Sequence, residues 1–118
     1  MTGRRVTTTL VTGPSCHDRE QAIAARLHHD GALSAVILEG LPDGQPVLVP
    51  SPSLLIERIA PGCLCCTGNL VLRVTLNRLL RRRPARLFIG LANAEHLGQL
   101  RSWLCSAPYD QLLELAPN

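Results

Sequence analysis

The sequence predicts an α/β fold of three layers, in which helices cover a mainly parallel sheet. Short aliphatic runs alternate along the chain with segments whose apolar residues recur at helical spacing. The 118 residues match the size of one domain, and 46% of them are apolar. Because aromatic residues make up only 3%, Leu, Val, Ile and Ala must build the core, and helices packed on a sheet suit such a core.

Continuous apolar runs bounded by turn residues predict four strands. These are Val6–Thr12, Ser34–Leu38, Leu54–Ala60 and Arg86–Ala92. The stretch 41–53 is dense in turn formers and is predicted to be a loop that carries a short strand at Val47–Val49.

Helical spacing predicts three helices. The first runs from Arg19 to about His29 and is capped by Ser15 or Asp18. The second is strongly amphipathic, follows Thr67 and ends at the next proline. The core-facing residues of the second and third helices are Val71, Leu72, Leu76, Leu79 and Leu80, and then Leu97, Leu100, Trp103 and Leu104.

Charge and hydropathy exclude several classes of protein. The net charge of +3 comes from twelve arginines and nine acids, which is too small an excess to indicate nucleic-acid binding with so few aromatic residues to stack on bases. No apolar run approaches the roughly 18 residues that span a bilayer, and the start of the sequence lacks a signal-peptide core. We therefore expect no membrane partner and a cytoplasmic location, where thiols stay reduced. The odd count of five cysteines also argues against a closed disulfide framework.

Three clustered thiols are the main functional signal. Cys63, Cys65 and Cys66 lie in a turn between the third predicted strand and the second predicted helix. Thiolates are preferred ligands of Zn²⁺, which takes four ligands in a tetrahedron, so the turn predicts a zinc or other thiophilic-metal site with one position open. Redox chemistry through a Cys63–Cys66 pair is the alternative.

The stretch from Ile59 to Leu70, which reads Ile-Ala-Pro-Gly-Cys-Leu-Cys-Cys-Thr-Gly-Asn-Leu, resembles the Gly-Cys-x-Cys-Cys region of the CobW-like GTPases, metal-handling relatives of UreG and HypB. The resemblance covers roughly residues 6 to 105. It implies a P-loop NTPase-like domain, occupying residues 1–118, in which metal delivery is coupled to GTP binding and hydrolysis. The family's base-reading segment and carboxy-terminal domain have no counterpart before Asn118, so the domain is expected to be partial.

The resemblance also places a phosphate-binding loop at residues 13–20. A working loop reads G-x-x-x-x-G-K-[ST], in which the lysine reaches the phosphates and the hydroxyl holds Mg²⁺. Here only Gly13 fits that pattern, because Asp18, Arg19 and Glu20 stand where glycine, lysine and the hydroxyl belong. The sequence contains no lysine, and the segment corresponding to an acidic strand end, residues 90–93, lacks a carboxylate. We therefore predict no GTP hydrolysis; Gly13, Ser15 and Arg19 are the residues of this turn that would contact a bound nucleotide.

The same turn carries further candidate metal ligands. Cys16 and His17 are both ligand types. The family topology makes the first and third strands neighbours, which would bring this turn close to the three clustered cysteines. Glu39, at the end of the second strand, occupies the position of a family glutamate near the metal and is the alternative fourth ligand.

Three functions follow from these observations. The first is a zinc-binding protein that buffers, senses or delivers metal without GTP hydrolysis of its own. The second is an enzyme, a weak metallochaperone GTPase in which Arg19 and backbone amides hold the nucleotide with Mg²⁺. The third is a non-catalytic module that pairs with a complete family member. The expected partners are a metal ion and either a metal-recipient protein or such a family member, and the apolar tail from Tyr109 to Leu115 either docks on the sheet edge or forms a homodimer contact.

Overall fold

The computed structural model describes residues 5–27, 31–41, 44–60, 70–92 and 94–116. Their five strands and three helices follow one another in the order that the sequence predicts, with a fifth strand added at the end. The elements are β1 (Val6–Thr12), α1 (Cys16–Ala24), β2 (Ser34–Glu39), β3 (Leu54–Ile59), α2 (Leu70–Leu80), β4 (Arg86–Leu91), α3 (Leu97–Leu104) and β5 (Leu113–Leu115).

The five strands form one sheet in the order β3-β2-β4-β1-β5, and every neighbouring pair is parallel. Two separate apolar clusters cover its two faces. One contains Ile23 of α1, and the other contains Leu76 of α2 and Leu100 of α3. The helices therefore lie on both sides of the sheet, and the predicted three-layer α/β fold with a P-loop-like layout is confirmed.

The neighbour relation expected for the first and third strands is wrong. β3 lies at the edge of the sheet, and both β2 and β4 stand between it and β1. Strand order depends on how the crossovers pass over the sheet, and residue patterns within each strand do not record it.

Several element boundaries also differ from the sequence prediction. α1 begins at Cys16, with Ser15 as its N-cap, and ends at Ala24. Val47–Val49 is not a strand, although the side chain of Leu48 is buried under α1. The inner face of α2 is formed by Leu72, Thr75, Leu76 and Leu79. Val71, which the sequence places on the core-facing side, lies off this face and is 46% exposed.

The apolar tail docks on the sheet. Leu113 to Leu115 pair in parallel with β1 and form the edge opposite β3. Tyr109 is buried beside Trp103, with ring centroids 4.8 Å apart, and its hydroxyl donates to Asn77 Oδ1 at 2.9 Å. Burial raises the pKa of Tyr109, so the hydroxyl stays protonated and keeps this contact between the tail and α2. Of the two arrangements expected for the tail, docking on the sheet edge or a homodimer contact, the structure shows the tail docked on the sheet edge.

No helix in the described ranges has the length and apolar character that crossing a membrane requires.

Candidate functional site

A cavity of about 350 Å³ opens at the carboxyl end of the sheet, beside the amino end of α1. This is the end at which open α/β sheets bind ligands. Its walls include Ser15, Cys16, Arg19, Glu39, Gly40 and Ala92.

Ser15 fixes the start of α1 at this cavity. Its Oγ accepts a hydrogen bond from the Asp18 N–H at 3.1 Å, and its extended backbone stops the helix from continuing toward β1. The cavity therefore faces the positive end of the helix dipole. Cys16, in the first turn, is buried against the end of β2 and donates its thiol hydrogen to the Glu39 carbonyl at 3.6 Å.

Arg19, the residue in the lysine position of the loop pattern, is only 5% exposed. Its guanidinium donates to the Gly13 carbonyl at 2.9 Å and to the Glu39 carbonyl at 3.3 Å. It also donates to the Cys16 sulfur at 3.3 Å, while its buried Nε has no partner among the described residues. Because β4 lies between β1 and β2, Arg19 links two strand ends across a third. The arginine fork is engaged with protein acceptors around the turn.

Gly90 of β4 lies in the crowded region between α1 and the sheet. A Cβ at Gly90 would lie 3.0 Å from Leu38 Cδ2 and 3.8 Å from the Cβ of Arg19. The tight contact is the one with the Leu38 side chain of β2, whereas the distance to α1 is an ordinary van der Waals contact.

Glu39 brings a buried carboxylate to the same end of the sheet. Its Oε1 accepts a hydrogen bond from the Ala92 N–H at 2.7 Å, and the residue is 5% exposed. The segment at 90–93 has no carboxylate of its own, and the neighbouring strand β2 supplies one beside it.

Of the predicted metal ligands, the structure brings Cys16 and Glu39 together in the cavity wall. His17 is exposed and lies near Gln21, with 3.4 Å between their Nε2 atoms, and is not one of the residues that line the cavity. Cys63, Cys65 and Cys66 lie outside the described residues, so the site predicted on them stays a prediction. Within the described ranges, no three His, Cys, Asp or Glu side chains are grouped closely enough to hold a metal ion.

Glu20, which stands where the loop pattern has its Mg²⁺-binding hydroxyl, lies on the underside of α1. Its carboxylate accepts hydrogen bonds from Arg58 of β3 at 3.1 and 3.4 Å and from the Leu48 N–H at 3.2 Å. Sequence reasoning missed this pair. The available signal was Arg58 itself, a charged residue in an apolar strand at a position that faces the α1 side and needs a partner there.

Comparison with known proteins relates part of the chain to a zinc chaperone. Over 69 residues, 33% are identical to the zinc chaperone YeiR of Escherichia coli strain K12. The matched region is 58% of this chain and 21% of that protein, so the chain spans about a fifth of the relative's length. No family model and no solved structure matches the chain.

Proposed function

We propose that this chain is a CobW-like zinc-binding protein that buffers, senses or delivers Zn²⁺, with the ion held by Cys63, Cys65 and Cys66 as cargo. The observation that carries the proposal is the similarity to a zinc chaperone, which comes in addition to three thiols within four residues. Thiolates of this spacing leave room for a fourth ligand that can exchange, as transfer to a recipient requires.

The geometry at the end of β3 supports this proposal. The Ile59 carbonyl accepts a hydrogen bond from the Gly40 N–H at 2.8 Å, and Gly40 lines the cavity next to Glu39. In the sequence, Cys63 follows four residues after Ile59. Cys16 and Glu39 line the same cavity as Gly40, so we rank them as candidates for the fourth ligand above the exposed His17.

The contacts of the loop residues support the absence of GTP hydrolysis. The guanidinium of Arg19 is engaged with the Gly13 and Glu39 carbonyls, and the carboxylate of Glu20 with Arg58. The hydroxyl that would hold Mg²⁺ in a working loop is replaced by a side chain that binds the neighbouring β3. Hydrolysis would require both groups to be rearranged.

Zinc titration of the reduced chain, in competition with a chromophoric chelator, tests the proposal. Cys63→Ser, Cys65→Ser and Cys66→Ser should each weaken zinc binding by at least about tenfold. Cys105→Ser is the matched control, because Cys105 is exposed and follows α3, and it should leave the affinity unchanged. Equal affinity in all four variants would overturn the proposal.

The fourth ligand is tested in the same assay. Cys16→Ser, His17→Ala and Glu39→Gln separate the three candidates, and we expect the larger losses from Cys16 and Glu39. If none of the three changes the affinity, the fourth position is filled from elsewhere and this part of the proposal is removed.

Nucleotide binding without turnover is the second candidate function. It is favoured by the cavity at the amino end of α1, where helix dipoles attract phosphate. Calorimetry with GTP and Mg²⁺ distinguishes it from simple zinc binding. Sustained phosphate release by the zinc-loaded chain, above that of Cys63→Ala, would refute the predicted lack of hydrolysis.

A further inference from the structure

A groove runs along the outer edge of β3, on the side of the sheet that α2 covers. This edge groove has a volume of about 270 Å³. Its apolar floor is formed by the strand, and two arginines stand at its rim, one in the last turn of α2 and one just beyond the end of that helix. Its lining includes Leu54, Leu55, Ile56, Glu57, Arg78 and Arg82.

β3 presents a backbone edge at this groove. It pairs with β2 on one side and is the last strand of the sheet on the other. In a parallel ladder, alternate residues bond to the same neighbour, and the carbonyls of Ser53 and Ile59 accept from β2 and the residue after it. The N–H and C=O groups of Ile56 and Arg58 therefore point outward, where no other strand of the described residues covers them.

Natural proteins usually protect such an edge with lysine, proline or a bulge. Here β3 is a regular run of six residues, Leu54–Ile59, in which apolar side chains predominate. The outward N–H and C=O of Leu54 are bonded to Ser51, so the part of the edge that remains for a partner begins after Leu54. The first five side chains of β3 are only half-buried. An edge of this kind is suited to accept an extended peptide, with the main chain providing hydrogen bonds and the side chains selecting the sequence.

The charges around the groove select the occupant. Arg78 donates to Glu57 at 2.8 Å, which neutralises the single acid of the lining, and Arg82 is exposed at the rim beside Arg81. A second copy joined edge to edge would bring the same excess of positive charge to the interface and could not neutralise the rim. Like charges facing each other across an interface are unfavourable, so an acidic partner fits better.

We propose that β3 and the edge groove bind an extended acidic segment of another protein, in which apolar residues alternate with Asp or Glu. The segment adds a strand outside β3 through the outward groups of Ile56, and its acidic side chains meet Arg82 at the rim. This interaction is separate from metal binding and does not require the cysteine stretch.

A synthetic peptide that alternates Val and Glu over the six-residue length of β3 tests the proposal by fluorescence anisotropy. The wild-type chain should bind it, and should bind a matched Val and Lys peptide at least about tenfold more weakly. Arg82→Glu should weaken binding of the acidic peptide about fivefold or more. Arg81→Glu changes the net charge equally from the neighbouring position, outside the groove lining, and should have less than about a twofold effect.

Ile56→Pro tests the backbone contribution. Proline removes an N–H that points away from β2, so the ladder inside the sheet is retained while the outer edge loses a donor. Binding should be abolished with the thermal midpoint of the chain still measurable. If this variant does not fold, the comparison of Arg82→Glu with Arg81→Glu decides.

Three results would overturn the proposal. The first is no binding of the acidic peptide, and the second is equal weakening by Arg81→Glu and Arg82→Glu, which would indicate general charge attraction. The third is a dimer of the wild-type chain that Ile56→Pro dissociates, because the edge would then belong to a second copy.

Discussion

The two faces of β3 show how differently the two sides of the sheet are built. On the α1 side, Arg58 pairs with Glu20, whose side chain is 1% exposed. On the α2 side, Glu57 pairs with Arg78, and both side chains remain 37% exposed or more. Two neighbouring charged residues of β3 therefore form ion pairs of different kinds: Arg58 forms a buried one and Glu57 forms a solvent-exposed one. The polar interior lies next to the cavity, and the apolar side carries most of the core.

The helices repeat this contrast. α1 buries Arg19 and Glu20 against the sheet, whereas α2 buries Leu72, Leu76 and Leu79. Buried charges contribute to stability only while their partners are in place, and apolar packing has no such condition. The α1 side is thus the one where a single substitution can leave an uncompensated charge.

The largest effect is expected at Glu20. Glu20→Ala leaves the guanidinium of Arg58 and the N–H of Leu48 without their acceptor, and should lower the free energy of unfolding by about 3 to 4 kcal/mol. Urea unfolding measures the loss. The double variant Glu20→Met with Arg58→Met is the control, because an apolar pair removes both charges. It should recover part of the stability, since the buried N–H of Leu48 still lacks its acceptor. A loss below about 1 kcal/mol in the single variant would mean that the pair is not formed.

Arg19 should have the next largest effect. Arg19→Ala removes the donor shared by the Gly13 and Glu39 carbonyls and should cost about 2 kcal/mol. Arg26→Ala changes an exposed arginine just beyond the same helix and should stay within about 0.5 kcal/mol of wild type. Equal stability of the two variants would show that the guanidinium contacts contribute nothing.

Substitutions at Gly90 and Gly98 compare the crowded α1 side of the sheet with the open surroundings of α3 on the α2 side. Gly90→Ala places a methyl group 3.0 Å from Leu38 Cδ2 and should cost about 1 to 2 kcal/mol. Gly98→Ala lies in α3 with no atom within 4 Å of its new Cβ, and should gain about 0.5 kcal/mol from helix propensity. Thermal unfolding gives both shifts. The same sign for both substitutions would contradict the close contact between Gly90 and Leu38.

The contrast between the two sides also explains which features sequence reasoning could predict. The strands and α2 were predictable because apolar periodicity is local and α2 packs through aliphatic residues such as Leu76. The sequence pattern extends α1 to about His29, whereas the helix ends at Ala24. Leu27 keeps the apolar spacing and packs against the same cluster as Ile23 without being helical, so periodicity overestimates the length. The Glu20–Arg58 pair and the approach of Glu39 to Ala92 join residues far apart in sequence, so they depend on a strand order that local patterns do not encode.

The candidate site likewise combines features that local sequence predicts with features that depend on strand order. Ser15 was predicted as one of two caps because capping chemistry is local. The contact of Cys16 with Glu39 forms because β2 and β1 lie on either side of β4. The sequence prediction has β1 and β3 as neighbours instead, which is wrong. The pairing of Cys16 with Glu39 thus rests on strand order, whereas the prediction on Cys63, Cys65 and Cys66 rests on spacing alone.

The smallest effect is expected at the exposed pair. Glu57→Gln removes the partner of Arg78 on the solvated side and should cost about 0.5 kcal/mol or less at low salt. Roughly 1 M salt shortens the Debye length to about 3 Å, so the difference from wild type should vanish there. Glu20→Gln is the matched substitution on the buried side, and its loss should persist at high salt because solvent ions do not reach the pair. If both losses disappear with salt, Arg58 and Glu20 are as solvated as Glu57 and Arg78, and the distinction between the two faces of β3 no longer holds.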